Sequence, residues 1–140
     1  MPTTPGPSTI RHFVVAFTAA ALTFLLLDAA WLTTMSSRLY RPALGHLLRE
    51  DFDALAAAAF YALYLAGVVV FVVRPSGDPR AALARGTFFG IVCYGTYDLT
   101  NQASAVGWPW HVTLIDLVWG SFVTGTSAWV AHRAARAWRG

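Results

Sequence analysis

Four long apolar runs leave this chain few ways to fold. They cover roughly residues 12–34, 54–73, 81–105 and 111–131. Each is long enough to cross a bilayer, which takes about 20 residues as a helix. Inside hydrocarbon every backbone N–H and C=O must be satisfied within the segment, so a run of this kind is helical. Composition agrees: 56% of residues are hydrophobic and only 12% are charged. Soluble domains carry about a quarter of charged residues. The expected fold is all-α, an integral membrane four-helix bundle. The first run follows Arg11 as a signal peptide would, but it is longer than an h-region, contains Asp28 and shows no clear small-residue cleavage site. It reads as a retained span.

Between the runs the punctuation is local. The first nine residues, MPTTPGPST, read as a disordered tail. The chain divides into that tail (1–11), a four-span domain (12–131) and a basic cytoplasmic tail (132–140). Asp53 stands where it can cap the second span, and Ser76-Gly77-Asp78-Pro79 is a turn leading into a capped third. Gly107 ends the third run and Pro109 opens the fourth. PALGHLLRE, from Pro42, places Leu44, Leu47 and Leu48 on one face, a short amphipathic helix in the first outer loop. Gly86 and Gly90 on the third run, and Ser121 and Gly125 on the fourth, are spaced for close helix packing.

All ten cations are Arg, and the net charge is +3. With four spans, Arg11, Arg74, Arg80, Arg85, Arg133, Arg136 and Arg139 fall on one side. Arg38, Arg41 and Arg49 fall on the other. Seven against three places both termini in the cytoplasm and the protein in the cell (inner) membrane. The same charge explains the basic C-terminal tail as a partner of the lipid bilayer, with no nucleic acid involved. Tyr40, Trp108 and Trp110 then fit an aromatic belt at the outer interface. A single Cys93 excludes an internal disulfide and reads as a small packing residue.

Against this apolar background the stretch YGTYDLTN stands out. Tyr94, Tyr97, Asp98 and Asn101 are spaced i, i+3, i+4, i+7 and share one helix face. Asp28 on the first run and Asp116 on the fourth lie at a similar level. All three acids sit roughly 8–10 Å below the outer surface at 1.5 Å per residue. Tyr61 and Tyr64 on the second run reach the same depth. An Asp at a helix centre costs about 2.5–3.5 kcal/mol to insert, so three of them need partners. Arg85 is too far away along its helix. The neutral donors at hand are the four tyrosines, Trp31 and Trp119 one turn from Asp28 and Asp116, and Asn101. These ten residues form a candidate ligand or proton pocket; the alternative is a hydrogen-bonded plug that locks the helices together. No metal site is expected, and no phosphate loop, nucleophile elbow or dinucleotide fingerprint is present.

LDAAWL in the first run, FYALY in the second, YGTYDLTN in the third and DLVWG in the fourth together resemble a bacterial family of predicted membrane proteins, domain of unknown function family 2177. The resemblance covers residues 13–129. It implies a small four-span membrane protein and carries no cofactor or catalytic residue with it.

Three functions fit. One is a binding or transport protein whose pocket takes a small ligand, lipid, cation or proton; transport by so thin a bundle calls for a homo-oligomer. Another is a membrane-embedded lipid-modifying enzyme using an Asp as acid or base. The third is a non-catalytic interaction subunit. The balance leans away from an enzyme because no nucleophile, metal site or cofactor motif accompanies the acids.

Overall fold

The computed structural model describes residues 7–139. Helix α1 runs Pro7–Met35, continues through a π-helical segment, Ser36–Tyr40, and ends in α2, Arg41–Leu44. Helix α3, Ala54–Gly67, continues as a second π segment, Val68–Val73. Helices α4, Pro79–Ser104, and α5, Trp110–Ala137, complete the bundle. The described residues contain no strand. Three of these helical stretches are long and apolar enough to cross a membrane: Ser8–Leu44, Ala54–Val73 and Trp110–Ala137. Helix α4 matches them in length, 26 residues or about 39 Å. Its composition is more polar because it carries Arg80, Arg85 and the YGTYDLTN face.

Helix α1 begins at Pro7, ahead of the run expected from residue 12. The expected disorder of the first residues falls, for 1–6, outside the described residues. At the other end α5 carries on to Ala137, through most of the basic tail. The cap signals hold. Asp53 accepts from the Ala56 N–H at 2.9 Å and Asp78 from the Ala81 N–H at 2.9 Å. Gly107 has φ +75°, the left-handed turn that releases the chain from α4 toward α5. A short helix does follow α1, but it spans only Arg41–Leu44 and is continuous with α1 through the π turns. Leu44 is buried, while Leu47 and Leu48 are about half exposed beyond the helix end.

Helices α4 and α5 form the tightest pair, because glycine faces glycine. A Cβ on Gly86 would lie 3.0 Å from the Gly125 Cα, and one on Gly90 would strike the Gly120 carbonyl. In lipid, where apolar surface alone does not drive helices together, such close backbone approach supplies the dispersion contact that does. The α5 side of this seam is Gly120 and Gly125. Ser121 lies off it, with its hydroxyl on the Val118 carbonyl at 2.8 Å.

The bundle is closed at one end and open at the other. At the end bearing both termini, Val68, Val69, Val72 and Val73 are at most 1% exposed, packed with Ala16, Ala20, Phe24, Val123 and Ala128. The π turns present four consecutive-pair valines to this core. His132 fastens the same end by donating from Nε2 to the Ser76 carbonyl at 2.9 Å. Toward the other end, α3 touches α1, α4 and α5 only sparsely, and its Leu55 and Leu63 face outward, 82% and 76% exposed. A second, smaller core of Leu39, Leu44, Trp108 and Val112 covers the loops there. Trp108 was expected in the interfacial belt. It is instead buried, donating to Thr113 Oγ1 at 3.1 Å, and Thr113 in turn donates to Gln102 Oε1 at 2.9 Å. The indole N–H has found an internal partner, which removes its need for the interface.

Candidate functional site

The open end encloses a cavity of about 450 Å³. Its walls come from every long helix: Asp28, Trp31 and Leu32 of α1, Tyr40 of the π turn, Ala57, Phe60 and Tyr61 of α3, Cys93, Tyr94, Tyr97 and Asp98 of α4, and Asp116 and Trp119 of α5. A cavity of this size suits a small molecule.

Asp28 is 8% exposed and held from two sides. Tyr61 donates its hydroxyl to Oδ2 at 2.9 Å, and Trp119 donates Nε1 toward Oδ1 at 3.4 Å. Asp116, 7% exposed, accepts from the Tyr40 hydroxyl at 2.5 Å. Tyr40 itself accepts from Trp31 Nε1 at 2.9 Å, so indole, phenol and carboxylate form a relay. The rings of Trp31 and Trp119 stack across α1 and α5 at 4.4 Å and 7°. One tryptophan is therefore committed to each acid, and the two brace each other.

Asp98 is different. It borders the cavity, is fully buried, and its carboxyl lies against that of Asp116, while no N–H or hydroxyl among the described residues donates to it. An unsatisfied buried polar group costs about 1–3 kcal/mol, and more when charged. No Arg or His lines the cavity. Asp98 and Asp116 lie together and Asp28 stands apart from them, so no three ligating side chains among the described residues sit close enough to hold a metal ion.

Eight of the ten residues expected from the sequence line this one cavity: Asp28, Trp31, Tyr61, Tyr94, Tyr97, Asp98, Asp116 and Trp119. Two do not. Tyr64 lies in the closed core, where its hydroxyl pairs with Thr124 and its ring packs on Phe24. Asn101 turns its amide back to the Tyr97 carbonyl at 2.9 Å. Depth alone could not separate Tyr64 from Tyr61; only the rotation of α3 does. Tyr40 and Cys93 join the wall without having been expected there. Tyr40 lies nine residues beyond Trp31, about two and a half turns of an ideal α-helix and so on the opposite face. The wider π turns between them slow that rotation and bring the phenol back over the indole. Pro42, which forbids an undisturbed helix through this stretch, was the available signal.

Fold and cavity together define a helical membrane protein. The family model described as "Predicted membrane protein (DUF2177)" matches residues 13–133, and the chain belongs to that family. No curated protein and no solved structure matches it.

Proposed function

We propose that this is a ligand-binding membrane protein whose guest sits in the outer half of the bilayer, between α3 and the α1–α4–α5 wall. One observation carries the reading. A bundle whose other half buries Val68, Val69, Val72 and Val73 to within 1% exposure keeps a 450 Å³ cavity at the level where three carboxyls and a stacked tryptophan pair gather. A polar plug built only for stability would fill that space and satisfy Asp98. The outward placement rests on the arginine distribution, with the termini on the cytoplasmic side.

The test is thermal stability in detergent for Asp28→Asn, Asp98→Asn and Asp116→Asn. Asn keeps one acceptor oxygen for Tyr61 and Tyr40 but holds no charge. A site maintained for a ligand gives variants that melt as high as the wild type or higher, because functional sites are held at a cost in stability. A loss of several degrees in each variant would instead make the cluster a structural plug. The Tyr40–Asp116 contact favours a second reading, since a carboxylate on a phenol can move a proton during lipid modification. Turnover of a lipid by the purified protein in liposomes would select it.

A further inference from the structure

Resting on that ligand-binding reading, the geometry points to one class of guest: a protonated amine, an N–H-bearing ammonium carried on an apolar body. The first argument is charge. Three carboxyls from three helices border the cavity, and no cationic side chain lines it. The second is Asp98, fully buried in the cavity wall, which lies against the Asp116 carboxyl and receives no hydrogen bond from an N–H or a hydroxyl among the described residues. Asp28 and Asp116 already accept phenol hydroxyls, yet a carboxylate has about four lone-pair sites. The site therefore presents several unused acceptors and no cation to match them, with the phenols of Tyr94 and Tyr97 its only other side-chain N–H or O–H donors among the lining residues. An ammonium supplies up to three N–H donors and the missing charge at once.

The aromatic walls narrow the class further. Trp31, Trp119, Tyr61 and Phe60 line the cavity with the acids, and a cation over an aromatic face is attracted by its quadrupole. A bare metal ion does not fit acids of which no three lie close together. A phosphate-bearing lipid headgroup would bring its negative charge against three carboxyls with no cation to receive it. The apolar body follows from access: α3 is anchored through its buried valines and touches its neighbours only sparsely beyond them, so a tail leaves between α3 and its neighbours into lipid.

The experiment uses the full chain in phosphatidylcholine nanodiscs and measures bound radiolabelled decylamine, an ammonium at neutral pH, against empty nanodiscs. Unlabelled decanol, the same chain without charge, is the competitor. The expected result is saturable decylamine binding that decanol displaces at least tenfold less effectively than unlabelled decylamine. Asp28→Asn/Asp116→Asn should weaken it at least tenfold, and so should Asp98→Asn, while Leu63→Ala on the lipid-facing side of α3 should not. Decanol competing as well as decylamine would overturn the ammonium assignment and leave a cavity for neutral amphiphiles. No saturable decylamine binding would overturn the ammonium assignment, while the ligand-binding reading stands or falls on the Asp→Asn melting temperatures. The wild-type comparison decides the matter even if a variant fails to fold.

Discussion

At the scale of single residues, the polar groups of this protein divide by whether their partner is internal. Asp28 and Asp116 have phenols, Thr113 has Gln102, and the threonines of α4 return their hydroxyls to carbonyls one turn back, as Thr96 does to Val92 at 2.6 Å. Tyr64 belongs with these. Its hydroxyl meets Thr124 inside the closed core, so Tyr64→Phe should cost stability, about 0.6 kcal/mol on the average for such pairs between membrane helices, and leave guest binding unchanged. Tyr61→Phe should do the reverse, weakening binding by releasing Asp28; melting curves and binding isotherms on the two variants separate the roles. Outside the membrane, Asp78 carries a different dependence. Its carboxyl caps α4 by accepting the Ala81 N–H, which holds its pKa below the ordinary 3.8. A depressed carboxylate contributes stability that is present above its unfolded value and lost as pH falls through the folded one. Wild type should therefore melt above Asp78→Ala at neutral pH, with the gap starting to close below about pH 4 as the unfolded carboxylate protonates, and closing further as pH falls through the lower folded value. A gap that stayed constant into acid would assign the effect to something other than the cap.

At the scale of elements, the α4–α5 seam ties packing to the site. Gly90 and Gly120 allow backbone contact, and the Tyr94 ring lies against Gly120 where a Cβ would be. Gly90→Ala should destabilise by about 1–3 kcal/mol through overpacking. Gly120→Ala should do the same and also push Tyr94 within the cavity wall, weakening binding. Gly77→Ala, with nothing within 4 Å, is the neutral control. Thermal melts of the three variants, read beside decylamine binding, check this; equal losses in all three would mean the seam is not the source. Much of this level was legible in the sequence. Apolar run length gave the helices, Asp53 and Asp78 gave two starts, and the i, i+3, i+4, i+7 spacing gave the face that Tyr94, Tyr97 and Asp98 turn to the cavity. What escaped were departures from α geometry. The π turns at Ser36–Tyr40 rotate Tyr40 inward, and those at Val68–Val73 set the buried valines; both break the 3.6-residue period on which a reading of spacing depends. Trp108 escaped for another reason: whether an indole near a loop meets water or a distant Thr113 depends on how the loop folds back, which spacing does not encode.

At the scale of the whole molecule, charge and cavity define a direction. The end that holds the termini carries Arg11, Arg74, Arg133, Arg136 and Arg139, and its arginines are engaged locally. Arg139 donates to His12 at 2.9 Å and Arg11 lies 5.3 Å from the Trp138 ring centre. The cavity end carries Arg38, Arg41 and Arg49, and Arg49 is partly offset by Asp51 at 3.2 Å and Asp53 at 3.8 Å. An excess of arginine in short connections holds that side in the cytoplasm during insertion. A fluorescent protein that matures only in the cytoplasm, fused after Gly140, should therefore be bright, and a periplasm-dependent phosphatase fused there should be inactive. Placed instead in the exposed connection near Glu50, the phosphatase should be active. The opposite pattern would turn the molecule over. The cavity, with its three acids, would then open to the cytoplasmic leaflet, whose anionic lipids concentrate cations near its surface. The guest class would stand, but its source would move to the other side of the membrane, so the fusion experiment fixes which pool of amines the cavity can sample.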